Sequence, residues 1–215
     1  MTVTLSAADV APLYRARAGR VDLVEVPELA FAGVDGSGAP GGPAFARALG
    51  ALYPVAYGIR FSLRKRGVDE RVSPLEALWW TPHSADDFAA AVSGGGYSEE
   101  EKAAWSWRAL IRLPAATDDT LIAEVKAQAA ARRPEGAEAL EEVRFFPWRE
   151  GLSVQTLHVG PYSAELPTVQ LLHDFIAGHG LAATGHHHEI YLGDPRRCAP
   201  ERLRTILRQP VARSG

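Results

Sequence analysis

Arg108-Ala109-Leu110-Ile111-Arg112-Leu113-Pro114 and Arg204-Thr205-Ile206-Leu207-Arg208-Gln209-Pro210 match position for position in residue type. A second pair lines up in the same way: Glu76-Ala77-Leu78-Trp79-Trp80-Thr81-Pro82 and Glu189-Ile190-Tyr191-Leu192-Gly193-Asp194-Pro195. All four stretches read as strands. Each match falls at the same place within a strand–helix–strand–strand unit, which points to an internal duplication. The expected fold is α+β. Two such units, of the SHS2 type, would join edge to edge, with helices on one sheet face and a ligand cleft shared between the halves on the other. The pseudo-repeats would cover about 21–115 and 140–213 of a single domain at 21–213, joined by a helix at about 118–133. Residues 1–20 read as a short helical arm, with Val10, Leu13 and Tyr14 as a small apolar face.

Between these anchors the pattern is legible in outline. Val24, Val26, Leu29, Phe31 and Val34 alternate brokenly around Pro27, which suits an edge or bent strand. Phe45, Leu49, Leu52, Tyr53, Ala56, Tyr57 and Phe61 recur at helical steps, with Pro54 predicting a kink or a break. A short helix is expected over Asp86 to Val92 after a Ser84 cap, followed by a Gly94-Gly95-Gly96 break. Asp118 to Arg133 reads as a surface helix, acidic at its start and basic at its end as the macrodipole favours. Val143 to Val159 contains two strand-like runs around Gly151, and Ser163 to His179 is an amphipathic helix ended by Gly180.

Composition narrows the function classes. Of 215 residues 47% are apolar and 23% charged, an ordinary globular balance. No apolar run approaches the ~18 residues of a membrane span, and the first residues lack the basic head and apolar run of a signal peptide. Cys198 is the single cysteine, so no internal disulfide forms and a reducing cytoplasm is the expected location. A net charge of -3 and a pI near 6.2 give no electrostatic footprint for nucleic acid.

Several motifs invite chemistry and are outweighed by plainer readings. Gly36-x-Gly38-x-x-Gly41 has the glycine spacing of a dinucleotide fingerprint, but Pro40 and Gly42-Pro43 postpone the helix, so it reads as a strand-to-helix turn. His186-His187-His188 could join His158, His173 or His179 at a zinc ion, but no spacing demands it; they read as histidines that hydrogen-bond at a strand start, and no metal or cofactor is expected. Cys198 beside Arg196 and Arg197 reads as incidental, and no nucleophile elbow occurs.

The stronger constellation is one acid among aromatics. On a strand His187, Glu189 and Tyr191 share a face, with His186, His188 and Ile190 on the other. If the halves match, Glu76 and Trp80 occupy the corresponding face of the first half. Tyr57, Trp79, Trp107 and Tyr162 are further aromatics available near the seam. Either Glu189 is paired with one of the many arginines, or it waits for a cation, because a carboxylate left alone in an apolar strand is costly. In the second case a flat, apolar cation satisfies the site by pairing with the acid and stacking on rings.

Leu52-Tyr53-Pro54-Val55-Ala56-Tyr57, Glu76-Ala77-Leu78-Trp79-Trp80, His158-Val159-Gly160-Pro161-Tyr162 and the run from His187 through Pro195-Arg196-Arg197 to Arg208-Gln209-Pro210 resemble the stand-alone GyrI-like small-molecule-binding proteins, relatives of the effector-binding domains of multidrug-responsive regulators. The resemblance implies a duplicated strand–helix–strand–strand fold. It also implies a cleft for lipophilic, often cationic aromatic molecules, in which Glu189 takes the place of the central glutamate. It suggests Glu189, Tyr191, Tyr57, Trp80 and Tyr162 as the binding residues, with Trp79 and Trp107 next. Some stand-alone members hydrolyse the cyclopropane of DNA-alkylating natural products, which would make Glu189 a general base and Tyr191 a hydrogen-bond donor to the substrate carbonyl. Another branch inhibits DNA gyrase, a protein-partner role that no feature of this chain demands.

Overall fold

The computed structural model describes residues 6–81 and 98–214. The expected Asp86–Val92 helix, its Ser84 cap and the Gly94–Gly96 break lie outside the described residues. In chain order come α1 (Ala7–Val10) and a 3₁₀ turn (Ala11–Tyr14), β1 (Asp22–Ser37), α2 (Pro43–Lys65), β2 (Leu75–Trp80), α3 (Glu99–Ala103) and β3 (Ser106–Arg112). Then follow α4 (Asp119–Arg132), α5 (Ala137–Glu141), β4 (Arg144–Val159), a 3₁₀ turn (Tyr162–Ala164), α6 (Leu166–Gly178), β5 (Leu181–Ala183), β6 (His187–Tyr191), a 3₁₀ turn (Pro200–Arg202) and β7 (Arg204–Arg213).

The architecture is mixed α and β on an antiparallel sheet. Strands run β4-β1-β3-β2-β6-β7, and β7 pairs back onto β4, so six strands close into a barrel-like ring with β5 added at the end of β7. Two long strands make the closure. β1 pairs β4 through 22–33 and β3 through 31–37, while β4 pairs β1 through 144–155 and β7 through 153–159. The two runs expected within Val143 to Val159 are therefore one strand, Arg144–Val159. Gly151, at φ 79, gives β4 a backbone bend at the point where the two expected runs meet. Pro27 sits in the half of β1 that has a neighbour on one side only, so its missing N–H breaks no ladder there.

The ring corrects the expectation of a cleft on the sheet face turned away from the helices. That face is the ring's interior, and it is full. Leu29, Phe31, Leu78 and Leu110 pack there with Val10 and Leu13 of the arm, and Tyr14 also reaches Leu157, Ile190 and Ile206. Arm backbone is bonded in as well: Arg208 Nη2 donates to the Leu13 carbonyl at 2.6 Å and Gln155 Nε2 to that of Arg15 at 3.0 Å.

The outer face carries the helices. α2, α4 and α5 cover β1, β2 and β3 in the main core, and α6 covers β4, β5 and β7. Asp118 caps α4 by accepting from Leu121 N at 2.8 Å. A Cβ on Gly58 would meet Val125 at 2.4 Å, so α2 and α4 approach through the absent side chain. Of the kink or break expected at Pro54, the break does not occur: α2 runs through it as one helix. The proline costs one helix bond, but Leu52, Val55, Ala56 and Ile59 around it are all buried and hold both flanking turns.

Candidate functional site

The cavity lies on the helix face of the sheet. Its floor is the outward side of β2 and β6, where Trp79, His187, Glu189 and Tyr191 point together. One wall is α2, through Tyr53, Pro54 and Tyr57; the other is the Tyr162–Ala164 turn and the start of α6, through Glu165, Leu166 and Val169. The loop 192–197 after β6 closes one end. The volume is about 2130 Å³, above the ~300–1,000 Å³ of ordinary small-ligand pockets.

Alternation along β6 delivers His187, Glu189 and Tyr191 to this floor. Directly across the ladder from Glu189 stands Ala77, whose small side chain leaves room above the strand. The acid is 13% exposed. Trp79 Nε1 donates to the Tyr191 hydroxyl at 3.1 Å, which fixes that ring beside the Glu189 carboxylate. Burial pushes Glu189 up to about 7, with the Tyr191 hydroxyl and the charge on His188 partly opposing it. His187 Nε2 is 3.7 Å away. Burial, with His173 and His188 near, holds that imidazole down at about 3, so it is neutral where Glu189 ionises and brings no positive charge. Among the described residues no arginine or lysine forms an ion pair with Glu189.

Tyr191 is pushed well above the usual phenol range by burial and by Glu189 beside it. The Tyr162 ring meets the Tyr191 ring edge-on at 5.7 Å and 81°. Burial, with Glu189 and Glu165 near, raises its phenol to about 12. Along α2, Tyr53, Tyr57 and Phe61 stand one turn apart with centroids 6.5 and 6.3 Å apart, a row of ring faces at the rim; Tyr57 is 45% exposed.

Two of the expected aromatics are elsewhere. Trp80 projects from the other sheet face, where it stacks on His186 at 4.4 Å and packs with the ring interior. Trp107 is on the helix face but beneath it, sealed in the main core against Phe45 and over Gly36, where a Cβ would sit 2.3 Å from the indole. Glu76 likewise does not share a face with Glu189. It lies inside the ring, accepting from the Tyr14 hydroxyl at 2.7 Å and facing His188 Nε2 at 3.0 Å. The cause is register. The motif comparison sets Glu76 against Glu189, whereas the sheet sets Ala77 opposite Glu189, and one residue of slip turns every side chain to the other face.

The three histidines separate along the same rule. His188 is clasped between Glu76 and Glu150, with Arg208 Nη1 on the second Glu150 oxygen at 2.9 Å. Burial alone would lower its pKa, but Glu150 and Glu76 lift His188 to about 9; likewise burial would raise Glu150, but His188 and Arg208 hold it down at about 2. Among the described residues no cluster of three or more histidine, cysteine or acidic side chains is arranged to hold a metal ion. The glycine-rich stretch is the turn from β1 into α2, with Gly42 at the helix N-cap and no side-chain cap.

Glu165 is the cavity residue that sequence reasoning missed. It stands just before α6, where an acid reads as complementing the helix dipole. Its side chain makes no cap bond; it is 8% exposed, and its Oε1 has no partner. Burial and the like charge of Glu189 raise it to about 9.

The site is thus a helix-walled cavity on the outside of a closed antiparallel ring, with Glu189 on its floor. The GyrI-like small molecule binding domain matches residues 20–212, and the chain belongs to that family. A conserved protein of Listeria innocua is 33% identical over 94% of this chain and 96% of its own, with a TM-score of 0.82. A hydrolase from the same organism is 32% identical over 94% and 96%, with a TM-score of 0.77. The EcmrR C-terminal domain shares the fold at 12% identity and a TM-score of 0.54, covering 90% of this chain and 98% of its own. No curated protein matches at a significant level.

Proposed function

We propose that the cavity binds bulky aromatic molecules carrying a positive charge, with Glu189 as the charge partner and Tyr57, Tyr162, Tyr191 and Trp79 as ring surfaces. The observation that carries this reading is a buried carboxylate on the cavity floor, set beside a phenol and, at 3.7 Å, an imidazole that burial keeps neutral. Such a group ionises at a cost until a cation arrives, and the cation's own desolvation is offset by pairing and by ring faces. The size of the cavity favours a guest of several rings over a single small ion. Membership in a small-molecule-binding family supports the same conclusion. The strand order supports the duplication suggested by the paired motifs, since exchanging β1, β2 and β3 with β4, β6 and β7 leaves the ring order unchanged. We read residues 21–213 as one domain of two pseudo-repeats carrying an arm at 1–20. None of the described helices is long and apolar enough to cross a membrane, and the lone Cys198 supports a cytoplasmic setting. Titrating ethidium or rhodamine 6G by fluorescence tests the reading: saturable binding in the micromolar range is expected, and no binding at millimolar dye contradicts it.

A second reading is hydrolysis in the same cavity, favoured by the 32% identity to a hydrolase. An acid ionising near 7, oriented by Tyr191, is suited to take a proton from water. The Tyr191 O–H is suited to stabilise negative charge on a substrate carbonyl as a strained cyclopropane opens. Incubation with a cyclopropane-bearing substrate followed by mass spectrometry separates the readings: a gain of one water supports hydrolysis, and intact compound leaves binding alone.

A further inference from the structure

We propose that Glu165 is a second acidic binding residue of this cavity, and that the site admits its cation in exchange for a proton held between Glu165 and Glu189. The proposal rests on the cation-binding reading above and names what that binding exchanges.

Glu165 forgoes the use an acid at a helix start ordinarily has. The α6 amides of Thr168 and Val169 bond to its backbone carbonyl at 2.8 and 3.0 Å, and its carboxylate caps nothing. The side chain turns instead into the cavity wall, where Oε1 is buried without a partner. A buried acid that caps nothing, has only the Thr205 hydroxyl beside it and lines the cavity that already holds Glu189 marks a ligand position rather than a structural one.

What faces the two acids decides their charge. From β6 come His187 and Tyr191, from the turn Tyr162, from β7 Thr205, and from α6 His173, whose imidazole burial holds in the neutral form. At the loop end stand Asp194, which takes Arg196 in a two-pronged bond at 3.0 Å, and Arg197 on the rim. Among the described residues no lysine or arginine pairs with either acid. Burial and the like charge of Glu189 keep Glu165 protonated near neutral pH, so the pair keeps about one proton. A monocation entering completes the balance: the proton leaves to solvent, both acids ionise, and the site's net charge is the same before and after.

The test is calorimetric titration of ethidium, a fixed cation, at pH 7 in phosphate and in Tris, whose ionisation enthalpies differ. The wild-type chain is expected to release about one proton per cation bound. Glu165→Gln copies the protonated acid in shape, so it preserves the fold, and without the like charge Glu189 ionises at lower pH. Its proton release is expected to fall toward zero, and the acid limb of its affinity to move to lower pH. A structural role for Glu165 would move neither readout. Equal proton counts in the two chains, or binding without proton release in the wild type, overturn this proposal and leave cation binding standing. No ethidium binding to the wild type overturns both.

Discussion

His188 and Glu189 are consecutive on one strand, and the chain treats them in opposite ways. His188 turns into the ring and finds two carboxylates, one of them tied to Arg208, all essentially without solvent. Glu189 turns to the helix face and finds a phenol, a neutral imidazole and space. The same contrast separates the two glutamates that the sequence motifs equate, since Glu76 is held by Tyr14 and His188, while among the described residues no arginine or lysine pairs with Glu189. A fold that saturates buried charge on one face and leaves it less satisfied on the other is what the proposed cation site requires.

The largest expected effect breaks the saturated side. Arg208→Leu leaves Glu150 with one partner and frees the Leu13 carbonyl of the arm. Stability measured by urea denaturation should fall by about 3–5 kcal/mol. A loss below ~1 kcal/mol would show that the interior network is ornamental.

The next effect is on pH. Glu165 and Glu189 keep protons in the folded chain that the unfolded chain releases near ~4.3, so their contribution to stability declines as pH rises from there toward their raised values. His188, raised to about 9, acts in the same direction: its contribution is whole below ~6.5 and is lost as pH climbs through 9. Glu150 acts at the other end, contributing above ~4.3 and losing that as pH falls through about 2. Denaturation midpoints should therefore be higher at pH 6 than at pH 9. A flat profile across that window would contradict the charge assignment on both faces.

The smallest effect compares two aromatics. Tyr57→Ala should weaken a planar cation by ~0.5–2 kcal/mol, a few-fold to about thirty-fold, through loss of a ring face. Trp80→Phe, on the other side of the sheet, should leave affinity within about two-fold. The reverse order would place the guest inside the ring.

Much of this was legible in the chain and some was not. Alternation alone put His187, Glu189 and Tyr191 on one face, because a strand's period is set by the backbone. Helical spacing found α2 and α6 by the face each buries, and α4 was found by its acidic start and basic end. Trp80 and Glu76 were misplaced because residue type does not encode pairing register, and the Ala77–Glu189 pairing exists only once β2 and β6 meet. Ring closure was hidden for a related reason: β4–β7 pairing joins residues about fifty positions apart, and nothing local signals it. Glu165 looked ordinary because an acid before a helix has a common use, and only its missing cap bond and buried oxygen reveal another.

The most direct test of the central claim is the affinity of rhodamine 6G for the wild-type chain and for Glu189→Gln at pH 8, with urea stability measured alongside. An acid awaiting a cation predicts a loss of at least about ten-fold in affinity, ~1.4 kcal/mol, with stability unchanged or slightly raised. Equal affinity in the two chains would contradict it.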